Sequence, residues 1–280
     1  LADAGKYLLK VSLNGCVNYD TIDVLVKKRP VFTLSSNSPI CEGDSLRLFV
    51  QGAPQGTTFA WSGPKQFLAI DSAVVRTNAS LDMSGVYLMT TTLGSCSVTD
   101  SIRVTVKARP SVNALSNSPV CEGQQLQLTT TAVNNASYAW QDPNGAAIGT
   151  SPQVTINGMQ PLQSGKYTVM VTLDGCVQTD TVTVTIKPKP TFTVDSVVCA
   201  PSLKVYTIYG KTNGTVASPS GTLLQVSDGR FTISELSVGT NTSLVFSKNS
   251  CDTTFTVSSP VCPCPTVAIA VTPISQTICE

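Results

Sequence analysis

The chain has 280 residues, of which 12% are charged, with a formal net charge of +1 and no histidine. That balance excludes the strongly basic surface of a nucleic-acid binder, and the missing histidine excludes an ordinary Ser-His or Cys-His nucleophile pair. Ten cysteines with no Cys-x-x-Cys pair point to disulfides in an oxidising, extracellular compartment rather than to a metal site, and no cofactor is expected.

The chain repeats itself. Arg109 to Thr129, RPSVNALSNSPVCEGQQLQLT, restates Arg29 to Phe49, RPVFTLSSNSPICEGDSLRLF. Pro30 and Pro110, Cys41 and Cys121, Gly85 and Gly165, Tyr87 and Tyr167, and Cys96 and Cys176 are each 80 residues apart, and Trp61 and Trp140 are 79 apart. Such a period is too long for a solenoid unit and suits one small β domain in a string.

In chain order, residues 1–29 supply only the last hairpin of a truncated unit, with Tyr7 and Cys16 lying 80 residues before Tyr87 and Cys96. The second unit, 30–108, carries the turn Ser36-Asn37-Ser38-Pro39, a Glu42-Gly43 turn, and a strand with Leu46, Leu48 and Val50. A strand with Trp61, an Asp82-x-x-Gly85-x-Tyr87 run and a last strand with Ile102, Val104 and Val106 follow. The third unit, 109–187, repeats this with Leu126, Leu128, Trp140, Gly165, Tyr167, Val182, Val184 and Ile186.

The fourth, 188–261, keeps Cys199 and Cys251 but lacks tryptophan, and has Gly239-Thr240-Asn241 where Gly-x-Tyr would stand, so a sandwich with a different core is expected. Residues 262–280 begin a further unit, since Ile278-Cys279-Glu280 repeats Ile40-Cys41-Glu42. Apolar residues alternate throughout, no helical period is sustained, and the expected class is all-β. No apolar run approaches the roughly 18 residues of a membrane span, and the stretch reads as a fragment of a longer protein. The joints, Lys27-Lys28-Arg29-Pro30, Lys107-Ala108-Arg109-Pro110 and Lys187-Pro188-Lys189-Pro190, are short and proline-fixed, which favours an elongated, stiff array.

The second strand with Leu-x-Leu, the tryptophan about eleven residues after its end and the Asp-x-x-Gly-x-Tyr corner together resemble an immunoglobulin-like domain. The resemblance implies tandem immunoglobulin-like β-sandwiches in which Trp61, Tyr87, Trp140 and Tyr167 are structural core rather than sugar-stacking residues. Where that family often places its inter-sheet cysteines, this chain has Val50 with Met89 and Thr130 with Val169, so the cysteines serve elsewhere.

On the immunoglobulin-like reading, Cys41 lies in the turn before the second strand and Cys96 in the hairpin after the sixth, at opposite ends of one sandwich. Staples between neighbours, Cys41 with Cys176 and Cys121 with Cys251, are therefore favoured. The alternative is pairing within units: Cys41 with Cys96, Cys121 with Cys176, and Cys199 with Cys251. On the first scheme the partners of Cys16 and Cys96 lie upstream, Cys199 turns to the following unit or to Cys262 or Cys264, and the roles of those last two stay open.

The run Ser-Asn-Ser-Pro-x-Cys-Glu-Gly-x-x-Leu-x-Leu, followed by an aromatic-x-Trp and Gly-x-Tyr, also resembles the tandem repeats of giant cell-surface adhesins of Bacteroidota, including gliding-motility adhesins exported by type IX secretion. The resemblance implies a stalk or filament on a bacterial cell surface and carries over no catalytic residue. A carbohydrate- or protein-binding module and a non-catalytic spacer of a secreted hydrolase are the alternatives; the partners expected are neighbouring domains of the same chain, with surface polysaccharide or protein beyond them.

Asp followed by Ser or Thr and an apolar residue or Thr resembles the O-glycosylation site of such exported proteins, which singles out Thr21, Ser101, Thr181 and Thr253. Carboxylates are the remaining route to acid-base work, and Asp71 with Asp82, or Glu235 with Asp252, are pairs that could sit together. Each lies at a predicted turn, where Asp is expected for local hydrogen bonding, and the chain is not read as an enzyme.

Overall fold

The structure, a computed structural model, describes residues 3–225 and 228–263. Cys264, Cys279 and nearly all of the further unit expected over 262–280 lie outside the described residues. Two compact units make up the chain: Leu1–Asn113 with Thr131–Ala139 and Val169–Asp180, and Ala114–Thr130 with Trp140–Thr168 and Thr181–Glu280. Among the described residues the helical elements are two short 3-10 turns, Leu81–Met83 and Pro161–Gln163.

The first unit opens with β1 (Gly5–Leu13) and β2 (Cys16–Val24), an antiparallel hairpin in register from Gly5↔Val24 to Leu13↔Cys16. The second repeat contributes β3 (Thr33–Ser36), β4 (Ile40–Cys41), β5 (Leu46–Gln51), β6 (Thr58–Gly63), β7 (Phe67–Ala69), β8 (Ala73–Arg76), β9 (Gly85–Leu93), β10 (Cys96–Val104) and β11 (Val106–Lys107). One sheet runs β3-β5-β8 and the other β10-β9-β6-β7, while β4 pairs with β11 in parallel.

The period-2 pattern explains which face goes inward. On β9, Tyr87, Met89 and Thr91 are buried while Val86 and Leu88 face out; on β5, Leu46 and Leu48 are buried around an exposed Arg47. Leu46, Leu48, Tyr87 and Met89 form one core with Trp61, Ile40, Ala79, Val104 and Val106, and each large apolar side chain buried contributes about 1.5–3 kcal/mol. Gly85 in the Gly-x-Tyr motif has φ +148°, and a Cβ there would meet Pro64 Cγ at 2.8 Å; Gly165 has φ +151° and would meet Pro143 at the same distance. A side chain at either position would have to displace a proline ring.

In the third repeat the elements are β12 (Leu115–Ser116), β13 (Val120–Cys121), β14 (Leu126–Thr129), β15 (Ser137–Gln141), β16 (Ala147–Gly149), β17 (Gln153–Ile156), β18 (Gly165–Leu173), β19 (Cys176–Val184) and β20 (Ile186–Lys187). Within the second unit, β12-β14-β17 form a sheet, β13 pairs in parallel with β20, and Trp140 on β15 lies opposite Gly149 on β16.

The fourth segment consists of β21 (Phe192–Cys199), β22 (Val205–Thr212), β23 (Thr215–Ala217), β24 (Thr222–Gln225), β25 (Arg230–Ser237), β26 (Thr242–Lys248) and β27 (Cys251–Val257). Its sheets run β21-β22-β25-β24 and β23-β26-β27, the seven-strand order of a constant-type immunoglobulin sandwich. The second repeat instead places the short strand β7, which follows β6, on the sheet of β6. Tyr206, Ile208, Phe231, Ile233, Leu244 and Phe246 fill the fourth core, and Phe192 stacks on Phe246 at 4.0 Å. With no Gly-x-Tyr available, Tyr206 of the second strand reaches the same corner, its hydroxyl donating to the Thr240 carbonyl at 3.0 Å. The fold is an all-β array of immunoglobulin-like sandwiches.

Candidate functional site

The repeated Ser-Asn-Ser-Pro-x-Cys-Glu-Gly run builds a bracket for its cysteine. Asn37 Nδ2 donates to the Ser45 carbonyl and its Oδ1 accepts from Arg47 N, so one side chain continues the ladder beside β5. Ser38 Oγ accepts from Thr105 N, and Ser84 Oγ accepts from Val106 N. Ser38-Pro39 is cis. The chain then enters β4 beside β11, with Glu42 N donating to the Lys107 carbonyl. In the third repeat Asn117, Ser118 and Ser164 do the same for Gln127 N, Thr185 N and Ile186 N, and Glu122 N donates to the Lys187 carbonyl.

The bracket holds Cys41 against the hairpin of the following repeat. Cys41 is bonded to Cys176 with a Cα–Cα distance of 5.6 Å, and Cys121 is bonded to Cys251 at 5.7 Å. Cys176 and Cys251 are fully buried. A third bond joins Cys199 to Cys262, while Cys16 and Cys96 are free thiols. The alternative scheme within units does not form, and the reason is geometric. Cys41 sits on a strand opposite Lys107 rather than in the turn expected for it, whereas Cys96 opens β10 eleven residues earlier on that edge. At about 3.3 Å per residue, roughly 35 Å separates them, against the roughly 7 Å a disulfide allows.

Basic residues of the linkers close each joint. In the first, Lys107 Nζ donates to the Asp174 carbonyl at 2.8 Å, and the Arg109 guanidinium reaches three acceptors: the carbonyls of Glu42 and Val177 and the carboxylate of Asp44. In the second, Lys187 Nζ donates to the Asn249 carbonyl at 3.0 Å, and Lys189 N donates to Glu122 Oε2. The sequence alone shows these residues only as parts of short, proline-fixed joints. The signal that would have found them is the recurrence of Lys-x-Arg/Lys-Pro in register with the cysteines.

Trp61, Trp140, Tyr87 and Tyr167 are buried to 2% exposure or less. Each indole donates to a main-chain carbonyl, Asp71 and Ser151 respectively, at 3.1 Å. Each tyrosine hydroxyl donates four residues back, to Met83 and Gln163. Burial pushes both phenols above the ordinary tyrosine range, an effect opposed at Tyr87 by the Arg76 guanidinium and reinforced at Tyr167 by Asp142. Arg76, which also lies 4.5 Å over the Phe67 ring, carried no sequence signal.

Thr21, Ser101 and Thr181 lie on exposed positions of their hairpins, with Thr21 opposite Leu8 and Ser101 opposite Leu88, both exposed. Thr253 is different, and its place beside the other three needs correction. It follows Cys251 by two residues instead of five, so it falls opposite buried Phe246. Its hydroxyl is buried with no hydrogen-bond partner and is closed to a transferase in the folded domain. Of the candidate carboxylates, Asp82 is held below the usual range by Lys65 at 2.6 Å and by Ser80, and Glu235 accepts from Thr222 Oγ1. Among the described residues no group of three or more His, Cys, Asp or Glu side chains could hold a metal, and no helix is long and apolar enough to cross a membrane.

No family model and no curated protein matches the chain. Solved structures are similar to it at low identity: an I-band fragment of titin, domains I67–I69, at 13% identity and TM-score 0.47, covering 84% of this chain and 98% of that one. A marsupial T cell receptor follows at 10% identity and TM-score 0.41, covering 81% and 100%. Three N-terminal domains of the Hoc outer capsid protein of bacteriophage RB49 match at 13% and 0.34, covering 81% and 96%. The immunoglobulin-like assignment rests on the strand order described above.

Proposed function

We propose that this chain is a load-bearing segment of a stalk or filament in a large secreted cell-surface adhesin, with units at 30–108, 109–187 and 188–261. The observation that carries the reading is the joint itself: the same bracket, cysteine bond and lysine-to-hairpin contact recur from one repeat to the next. A binding module needs one shaped surface, whereas a stalk needs every joint restrained. Three disulfides suit an oxidising exterior. The resemblance to the tandem repeats of Bacteroidota adhesins supports a bacterial cell surface, attachment or gliding, and O-glycans on Thr21, Ser101 and Thr181.

The runner-up reading, a module that grips polysaccharide or protein, draws on Leu68 and Ile70, both 78% exposed on the second repeat. Small-angle scattering of the oxidised chain separates shape from binding. An extended particle with a fixed maximum dimension is expected, and a compact or freely jointed one sinks the stalk. Native peptides covering Thr21, Ser101 and Thr181 should carry hexose-type mass additions, with Thr253 unmodified.

A further inference from the structure

Tension on a cross-linked chain follows the shortest covalent path between the points of pull, and the bonds here set that path. Cys41–Cys176 spans 135 residues and Cys199–Cys262 spans 63. From the N-terminal end the path runs to Cys41, crosses to Cys176, follows residues 176–199, crosses to Cys262 and leaves. Residues 42–175 and 200–261 are off it.

We propose that the disulfides form a load-bypass ladder, in which tension is carried by short segments around each joint while the sandwich cores are covalently shielded. The segments on the path are the hairpin β1 and β2, the bracket strands β3 and β4, the strands β19 and β20 that receive the first staple, and β21. The shielded stretches hold Trp61, Tyr87, Trp140, Tyr167 and most of the fourth core. The second staple, Cys121–Cys251, has a separate role, because both its cysteines lie in shielded stretches. It carries no load while the first staple is intact and becomes the bypass when the first is lost. The inference deepens the stalk reading by naming which residues would bear load.

The test is single-molecule stretching of the 280-residue chain, tethered at its two ends through groups other than thiols. Fully oxidised, it should extend to roughly 280 Å, taking about 3.4 Å per residue on the path. The paired substitution Cys41→Ser with Cys176→Ser should lengthen it about 1.8-fold, removal of both long staples about 2.6-fold, and full reduction about 3.4-fold. Cys121→Ser with Cys251→Ser alone should leave the length unchanged. A gain on that last substitution, or a fully reduced length under oxidising conditions, overturns the ladder. Because the stretched length reports covalent connectivity and not shape, the ladder can hold even if scattering shows no rod, and fail even if it does.

Discussion

At the Cys41–Cys176 joint the Arg109 guanidinium ties Glu42, Asp44 and Val177 together. At the Cys121–Cys251 joint Lys189 stands in that place and bonds through its main chain, while Gln124 replaces Asp44. The second joint has beside its disulfide a polar cleft of about 410 Å³ lined by residues that include Asn117, Gln124, Gln125 and Asp252. A planar guanidinium presents several donors in fixed directions, and an ammonium on a flexible stem does not. The constant parts, disulfide and lysine-to-hairpin contact, therefore define a joint, and the arginine tunes one of them.

The difference between the joints should not extend to the cores. Trp61→Ala and Trp140→Ala should each cost about 3–5 kcal/mol, and by equal amounts, because the two indoles are equally buried and similarly bonded. Chemical denaturation of the two variants reads this directly, and unequal costs would mean the repeats differ in more than their joints. Next in size, serine pairs replacing either long staple should each lose about 2–4 kcal/mol and open their hairpins to protease. Proteolysis spread evenly over the chain would argue against a local role for the staple.

Smaller still, Arg109→Ala should cost about 1 kcal/mol at the first joint, as befits a partly exposed ion pair with added hydrogen bonds. Lys189→Ala should cost little, since its main-chain N–H makes the bond to Glu122. Equal effects would mean that the Arg109 guanidinium adds nothing that Lys189 lacks. The smallest effect concerns pH. The phenols of Tyr87 and Tyr167 are raised above the ordinary value of 10.0, so their contribution is fully present below that value and is lost as pH climbs through the higher folded one. Ultraviolet titration should show two tyrosines ionising late, and Tyr87→Phe should remove one of them.

Much of the fold was legible because repetition at 80 residues displays the same alternation and the same Gly-x-Tyr corner more than once. The inward faces of β5 and β9 follow directly from the period of two. What was not legible depended on neighbours far away in sequence. Arg109 finds its acceptors 65 to 68 residues away, and no local pattern encodes such a distance. Thr253 was misplaced for the opposite reason, because the short Asp-Thr motif looks the same whichever face of the strand it falls on. The fourth segment shows a third kind of loss. Its corner is served by Tyr206 from a different strand, so the position was kept while the residue that fills it moved.

The staples and the load path both depend on which cysteines are joined, and peptide mapping under non-reducing conditions reads that directly. Linked peptides containing Cys41 with Cys176 and Cys121 with Cys251 are the predicted result, with Cys96 not bonded to either Cys41 or Cys121. A peptide linking Cys41 to Cys96 would contradict the staple, and with it the load path and the contrast between the two joints.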